Sequence, residues 1–160
     1  MLTKRVFFTL KKTSIYPLST VFVFIYFSST FLKATMSNKT ILMLDDDKHV
    51  LEVCTIILET IGYRVEVSET SHDILEKVEE VQPDLILMDN WIPKIGGMEA
   101  TRLLKSHPTF RDIPVIYLSA NTDIQQLAKQ AGADNYLAKP FDLEDLENMV
   151  ADLLCCSSVK

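Results

Sequence analysis

The chain has 160 residues, with 16 Lys and Arg against 22 Asp and Glu and a formal charge of −6 at pH 7. Residues 1–35 hold five of the basic residues (Lys4, Arg5, Lys11, Lys12, Lys33) and no acid, which leaves 11 basic and 22 acidic groups, a formal −11, on residues 36–160. A globular part this acidic has no basic patch for a phosphate backbone, so nucleic acid is excluded as an expected partner, and the length suits one domain with a real core.

Residues 1–35 read as a non-globular tail. A basic start leads into the apolar stretch Ile15 to Phe27, broken by Pro17 and several Ser and Thr. This outline fits a secretory leader, a membrane anchor, or translation from a start placed too far upstream. The third reading is favoured and the anchor comes next, because Met36-Ser37-Asn38-Lys39-Thr40 runs straight into the first strand. The domain is then 36–160, and a membrane is a partner only if the tail is real and retained. Cys54 lies among apolar helix positions, Cys155 and Cys156 match no zinc or CxxC spacing, and His49, His72 and His107 are scattered, which fits a reducing, cytoplasmic setting without a zinc site.

From Thr40 the pattern alternates strand and helix five times, the signature of a parallel sheet with helices on both faces. The first strand is Thr40 to Leu44. Helix one follows, with Val50, Val53, Cys54, Ile57 and Ile61 at helical spacing and Gly62 as its terminator. Arg64 to Val67 alternates polar and apolar, as a half-exposed edge strand does. Helix two spans about Ser71 to Val81, with Ile74, Val78 and Val81 on one face, and Pro83 prevents its continuation. Leu85 to Met88 is a continuous apolar run that ends in Asp89, a central strand with both faces covered. Helix three runs to about Ser106 with Met98, Thr101 and Leu104 inward, and Pro114 to Ser119 is the fourth strand. Ile124, Leu127, Ala128 and Ala131 form the thin apolar stripe of helix four, which ends at Gly132. The fifth strand is Asn135 to Ala138, and helix five repeats Leu143, Leu146, Val150 and Leu153 behind Asp142 as N-cap.

The strand ends carry the chemistry. Strand one ends in Asp45-Asp46-Asp47, strand three in Asp89, strand four in Ser119 and strand five in Lys139. In open α/β sheets ligands sit at this carboxyl edge. Adjacent carboxylates repel unless solvated or neutralised by a hard cation such as Mg²⁺. Acids, a nucleophilic carboxylate, a hydroxyl and an ammonium together are what phosphoryl transfer to a carboxylate requires.

Leu44-Asp45-Asp46-Asp47, Leu87-Met88-Asp89 with Pro93 and Gly97 behind it, Leu118-Ser119-Ala120, and Tyr136-Leu137-Ala138-Lys139-Pro140-Phe141 stand in the order and spacing of one family. Over Asn38 to about Leu154 the sequence resembles the receiver domain of two-component response regulators. The resemblance implies a flavodoxin-like receiver fold, a doubly wound α/β domain with a five-stranded parallel sheet of order 2-1-3-4-5 and five helices. It implies that Asp89 is the phosphoacceptor for a phosphohistidine on a sensor histidine kinase or histidine phosphotransfer protein. Asp45, Asp46 and Asp89 then hold Mg²⁺ with the backbone carbonyl of Trp91. Ser119 is the switch hydroxyl, Lys139 pairs with the phosphoryl oxygens, and Tyr136 is the aromatic that turns inward, with a usually cis peptide before Pro140. Trp91 and Asn121 flank the path of hydrolytic water, and a bulky indole there implies slow self-dephosphorylation. The output face is helix four, strand five and helix five. With no room for an output module, a stand-alone receiver that catalyses only its own phosphorylation and dephosphorylation is expected, signalling to an unknown downstream protein.

Three alternatives stand beside it. An aspartyl-nucleophile phosphohydrolase is suggested by Asp45-Asp46-Asp47, though His49 departs from its pattern and no cap insertion fits. A pseudo-receiver that binds without phosphorylation disagrees with the retained acids and Lys139. A flavin-binding role lacks a phosphate cradle after strand one.

Overall fold

Three uncharged apolar runs, Ile41–Leu44, Leu85–Met88 and Val115–Leu118, need cover on both faces, and the fold supplies it by placing them side by side at the centre of one parallel sheet. The computed structural model describes residues 39–156. The readings of residues 1–35, of the start at Met36 and of the Cys156 side chain lie outside them. The strands are β1 (Thr40–Leu44), β2 (Arg64–Ser68), β3 (Leu85–Asp89), β4 (Val115–Ser119) and β5 (Asn135–Ala138). The helices are α1 (Lys48–Thr60), α2 (Ile74–Val81), α3 (Gly96–Ser106), α4 (Ile124–Ala131) and α5 (Leu143–Cys156). Their sheet order, β2-β1-β3-β4-β5 with all pairs parallel, is the one expected.

Side chains leave a strand on alternating faces, so each central strand feeds two cores. Ile41, Met43, Leu85 and Leu87 meet Leu51, Cys54 and Leu58 of α1 and Leu146, Val150 and Leu154 of α5 on one side. Leu42, Leu44, Ile86 and Met88 meet α2, α3 and α4 on the other. Every residue of β3 and β4 is buried, whereas β2 at the edge is half open. Among the described residues no helix is long and apolar enough to cross a membrane.

Helix faces depart from expectation in two places. In α1 the buried positions are Leu51, Cys54 and Leu58, with Val50 and Ile61 packed beside them, while Val53 is 47% exposed and Ile56 58%. Apolar residues lie nearly all round this helix, so spacing alone selects no unique stripe. In α5 Leu154 takes the buried place, Leu153 packs at its margin, and Leu143 is largely exposed. Helix α2 starts at Ile74, three residues later than expected. Ser71 lies in the preceding turn with its buried hydroxyl donating to the Pro93 carbonyl at 3.4 Å. Asp142 caps α5 through its backbone carbonyl, which accepts from Asp145 N and Leu146 N.

Candidate functional site

Register brings the functional side chains together. Leu44 pairs with Met88 and Asp89 with Leu118, so the residues that follow β1 and end β3 share one edge. The ladder extends past the strands, with Asn90 N bonded to Leu118 O and Lys139 N to Ser119 O. Because β1 connects outward to β2 on one side and lies against β3 on the other, the crevice where strand order reverses opens between Asp45 and Asp89.

Asp89 is buried. Its Oδ1 lies 2.7 Å from Lys139 Nζ and its Oδ2 accepts from the Trp91 N–H at 2.5 Å. Asp45 is fully buried, with Oδ2 2.5 Å from the same ammonium and Oδ1 accepting from Asp47 N at 3.0 Å. Asp46 is exposed at the rim, and one carboxylate oxygen from each of Asp45, Asp46 and Asp89 falls within 4.8 Å of the others. Asp47 faces elsewhere, capping α1 by accepting from His49 N at 2.9 Å. Its carboxylate is thereby committed to the helix cap and is not among the three grouped acids, contrary to what an Asp-x-Asp hydrolase needs.

One ammonium thus serves two buried carboxylates, with a third acid close by. Burial pushes the Asp45 carboxyl above its usual range, against the bonds from Lys139 and Asp47 N, and neighbouring Asp89 adds to the rise. Burial pulls the Lys139 ammonium down, but its bonds to Asp45 and Asp89 outweigh that and leave it raised. Desolvation thus governs the acid, and the two carboxylates govern the ammonium. Hard oxygen donors with surplus negative charge suit Mg²⁺. One oxygen from each acid already lies within 4.8 Å of the others, close enough for the three to be drawn onto one such cation.

The remaining predicted residues frame this centre. Ser119 ends β4, buried, with its oxygen accepting from Asn121 N at 3.1 Å. Lys139 precedes a cis peptide to Pro140. Tyr136 is half-buried against the α4 side and borders an open cavity of about 230 Å³ with Gln125, Ala128 and Lys129. Trp91 is 79% exposed and Asn121 is also exposed. Gly97, in the first turn of α3, is pressed against the β3 end: a Cβ there would stand 1.8 Å from the Asp89 carbonyl oxygen. Beside the acids opens an apolar groove of about 470 Å³, lined by Val50, Val53, Ala120, Pro140, Phe141 and Leu143 among others.

One contact was not expected. Tyr117, fully buried in β4, donates its hydroxyl to Asn90 Oδ1 at 2.6 Å. The available signal was a tyrosine inside an otherwise apolar buried strand, since its hydroxyl must find a partner there.

Residues 41–151 match the response regulator receiver domain. The chain belongs to this family. The receiver is 37% identical over 116 residues to the response regulator MprA of Mycobacterium leprae, covering 71% of this chain and 50% of that protein. A solved putative response regulator from Chloroflexus aurantiacus superposes with a TM-score of 0.69 at 31% identity, over 73% of this chain and 98% of that one. The receiver domain of the sensor histidine kinase PA1611 from Pseudomonas aeruginosa, solved with a magnesium ion in its active site cleft, gives 0.67 at 30% identity, over 72% and 97%. The receiver spans about half or less of the length of the curated relatives it matches.

Proposed function

We propose that this receiver accepts a phosphoryl group on Asp89 from a phosphohistidine of a sensor kinase or phosphotransfer protein, and signals by a change in what its surface binds. The observation that carries the reading is Asp89 itself: a buried carboxylate at the central strand's end, 2.7 Å from a fixed ammonium and beside two further acids. An Asp89 oxygen forms the new P–O bond as the P–N bond to the donor imidazole breaks, and the imidazole leaves with the electron pair. Asp45, Asp46, Asp89 and the Trp91 carbonyl are the ligands proposed for Mg²⁺, which when bound supplies charge against the phosphoryl oxygens. Lys139 holds a second positive charge at the same point. Because the Ser119 oxygen already accepts from Asn121 N, its own proton is free to reach a phosphoryl oxygen.

The downstream step rests on the same residues. A phosphoryl group adds about two negative charges, and Ser119 meets one of its oxygens by moving toward it, which gives Tyr136 room to turn inward. Helix α4, with a thin apolar stripe of Ile124, Ala128 and Ala131, is the element that shifts, so α4, β5 and α5 form the proposed output face. The donor is proposed to dock beside the acids, on the apolar groove between α1 and the start of α5 and on the exposed Val53 and Ile56 of α1. Trp91 and Asn121 stand at the rim where water would approach Asp89, and are proposed to lengthen the phosphorylated lifetime. The activity is self-limited to one phosphoryl group per chain, and the compartment consistent with it is the cytoplasm.

Intact-protein mass measurement with Mg²⁺ and acetyl phosphate tests this. Wild type is expected to gain one phosphoryl mass and Asp89→Asn none. Folded wild-type protein that gains none would favour a binding module that works without phosphorylation.

A further inference from the structure

Asn90 is the residue at which the chain leaves the central strand, and three of its polar groups are engaged. Its N–H donates to Leu118 O at 2.9 Å, its carbonyl accepts from Gly97 N at 3.1 Å, and its Oδ1 accepts from the Tyr117 hydroxyl at 2.6 Å. The first two contacts are backbone geometry that any residue could supply. The third depends on two side chains and crosses from β4 to the β3–α3 loop. Immediately after Asn90, the Trp91 N–H donates to Asp89 Oδ2, and the Trp91 carbonyl is the backbone ligand in the reading above. The orientation of Asn90 therefore sets the aim of the peptide that orients the Asp89 carboxylate.

Tyr117 is placed to govern that aim. It lies two residues before Ser119 on the same face of β4 and is fully buried, so its ring cannot swing away without opening the core of α2, α3 and α4. We propose that Tyr117 is a positioning residue of the phosphoryl-accepting site, its hydroxyl fixing Asn90 and through it the Asn90–Trp91 peptide against Asp89. Burial, reinforced by the Asp89 charge, pushes the Tyr117 hydroxyl up to about 12, so it stays a donor throughout the physiological range. A phenol that must donate has one strong acceptor close by, and the amide of Asn90 is it. The same contact joins the strand that carries the switch hydroxyl to the loop that carries the acceptor's hydrogen bond. A displacement of β4 at Ser119 is thereby transmitted to Trp91.

This inference rests on the proposed role of Asp89, and its test is kept separate from phosphorylation. In Tyr117→Phe the ring and the core are retained while the hydroxyl is lost. The backbone amide resonance of Trp91, read by heteronuclear NMR in the full chain, is expected to move upfield and to lose exchange protection, while the amides of β1 and β2 keep theirs. Titration with Mg²⁺ alone, followed through the emission of Trp91, the sole tryptophan, is expected to show roughly fivefold weaker binding, the factor that matches one ordinary hydrogen bond. Asn90→Ala is expected to do the same, and adding Tyr117→Phe to it to change nothing further, because the two act through one contact. A purely structural tyrosine would lower the melting temperature and leave the Trp91 amide and the Mg²⁺ affinity where they were, and that result would overturn the proposal. So would additive effects in the double variant. If wild type binds Mg²⁺ and the variants show these shifts, but wild type takes up no phosphoryl group, the reading of Asp89 fails and the positioning role stands.

Discussion

Asp45 shows how much one buried acid contributes to the behaviour of the site. Its folded-state pKa is raised, chiefly by burial, so the folded chain holds this proton more tightly than the unfolded chain does. The stability that it contributes is fully present below the unfolded value near 4 and is lost as pH rises through the raised folded value. Asp45→Asn should therefore compare more favourably with the metal-free wild type at pH 7 than at pH 3. It should also flatten the part of the pH–stability curve that this group produces, and remove much of the stabilisation that Mg²⁺ gives. Denaturant melts at several pH values, with and without Mg²⁺, check all three. The acids, Ser119 and Lys139 were legible in the sequence because each directly follows or ends an apolar run, and parallel strands align such ends. The Tyr117–Asn90 contact was not, since which polar groups meet across two strands depends on register and on side-chain reach.

At the scale of elements, the first turn of α3 is pressed against the end of β3. Gly97 has an ordinary backbone conformation, so space and not φ demands glycine: a Cβ would collide with the Asp89 carbonyl oxygen at 1.8 Å. Gly97→Ala must push α3 off the sheet edge. Overpacking of this kind costs about 1–3 kcal/mol, and the upper end is expected because the obstructing atom is backbone. Chemical denaturation measures the loss, and an alanine variant as stable as wild type would show that α3 adjusts freely. Sequence pattern located every strand and helix among the described residues. It missed the inward face of α1, where apolar residues run nearly all round the helix and packing against Ile41, Met43 and α5 makes the choice. Spare apolar positions such as Val53 and Ile56 are then left outward, and Val53 lines the groove proposed for the phosphodonor.

The whole molecule sets two tasks against each other. The sheet must pack β3 and β4 on both faces, yet deliver carboxylates into a crevice where their charges are only partly offset. Parallel topology reconciles them, because every strand can be apolar along its length and polar at one end. The same logic separates a receiver from an aspartyl-nucleophile hydrolase, whose acceptor would be the acid after β1 and not the one that ends β3. Mapping the acyl phosphate decides this. After incubation with Mg²⁺ and acetyl phosphate, borohydride converts a phosphorylated aspartate to homoserine, and peptide sequencing by mass locates it. Homoserine at position 89 and nowhere else is the expected result. Homoserine at position 45, or at no aspartate although the protein is folded and binds Mg²⁺, would contradict the account.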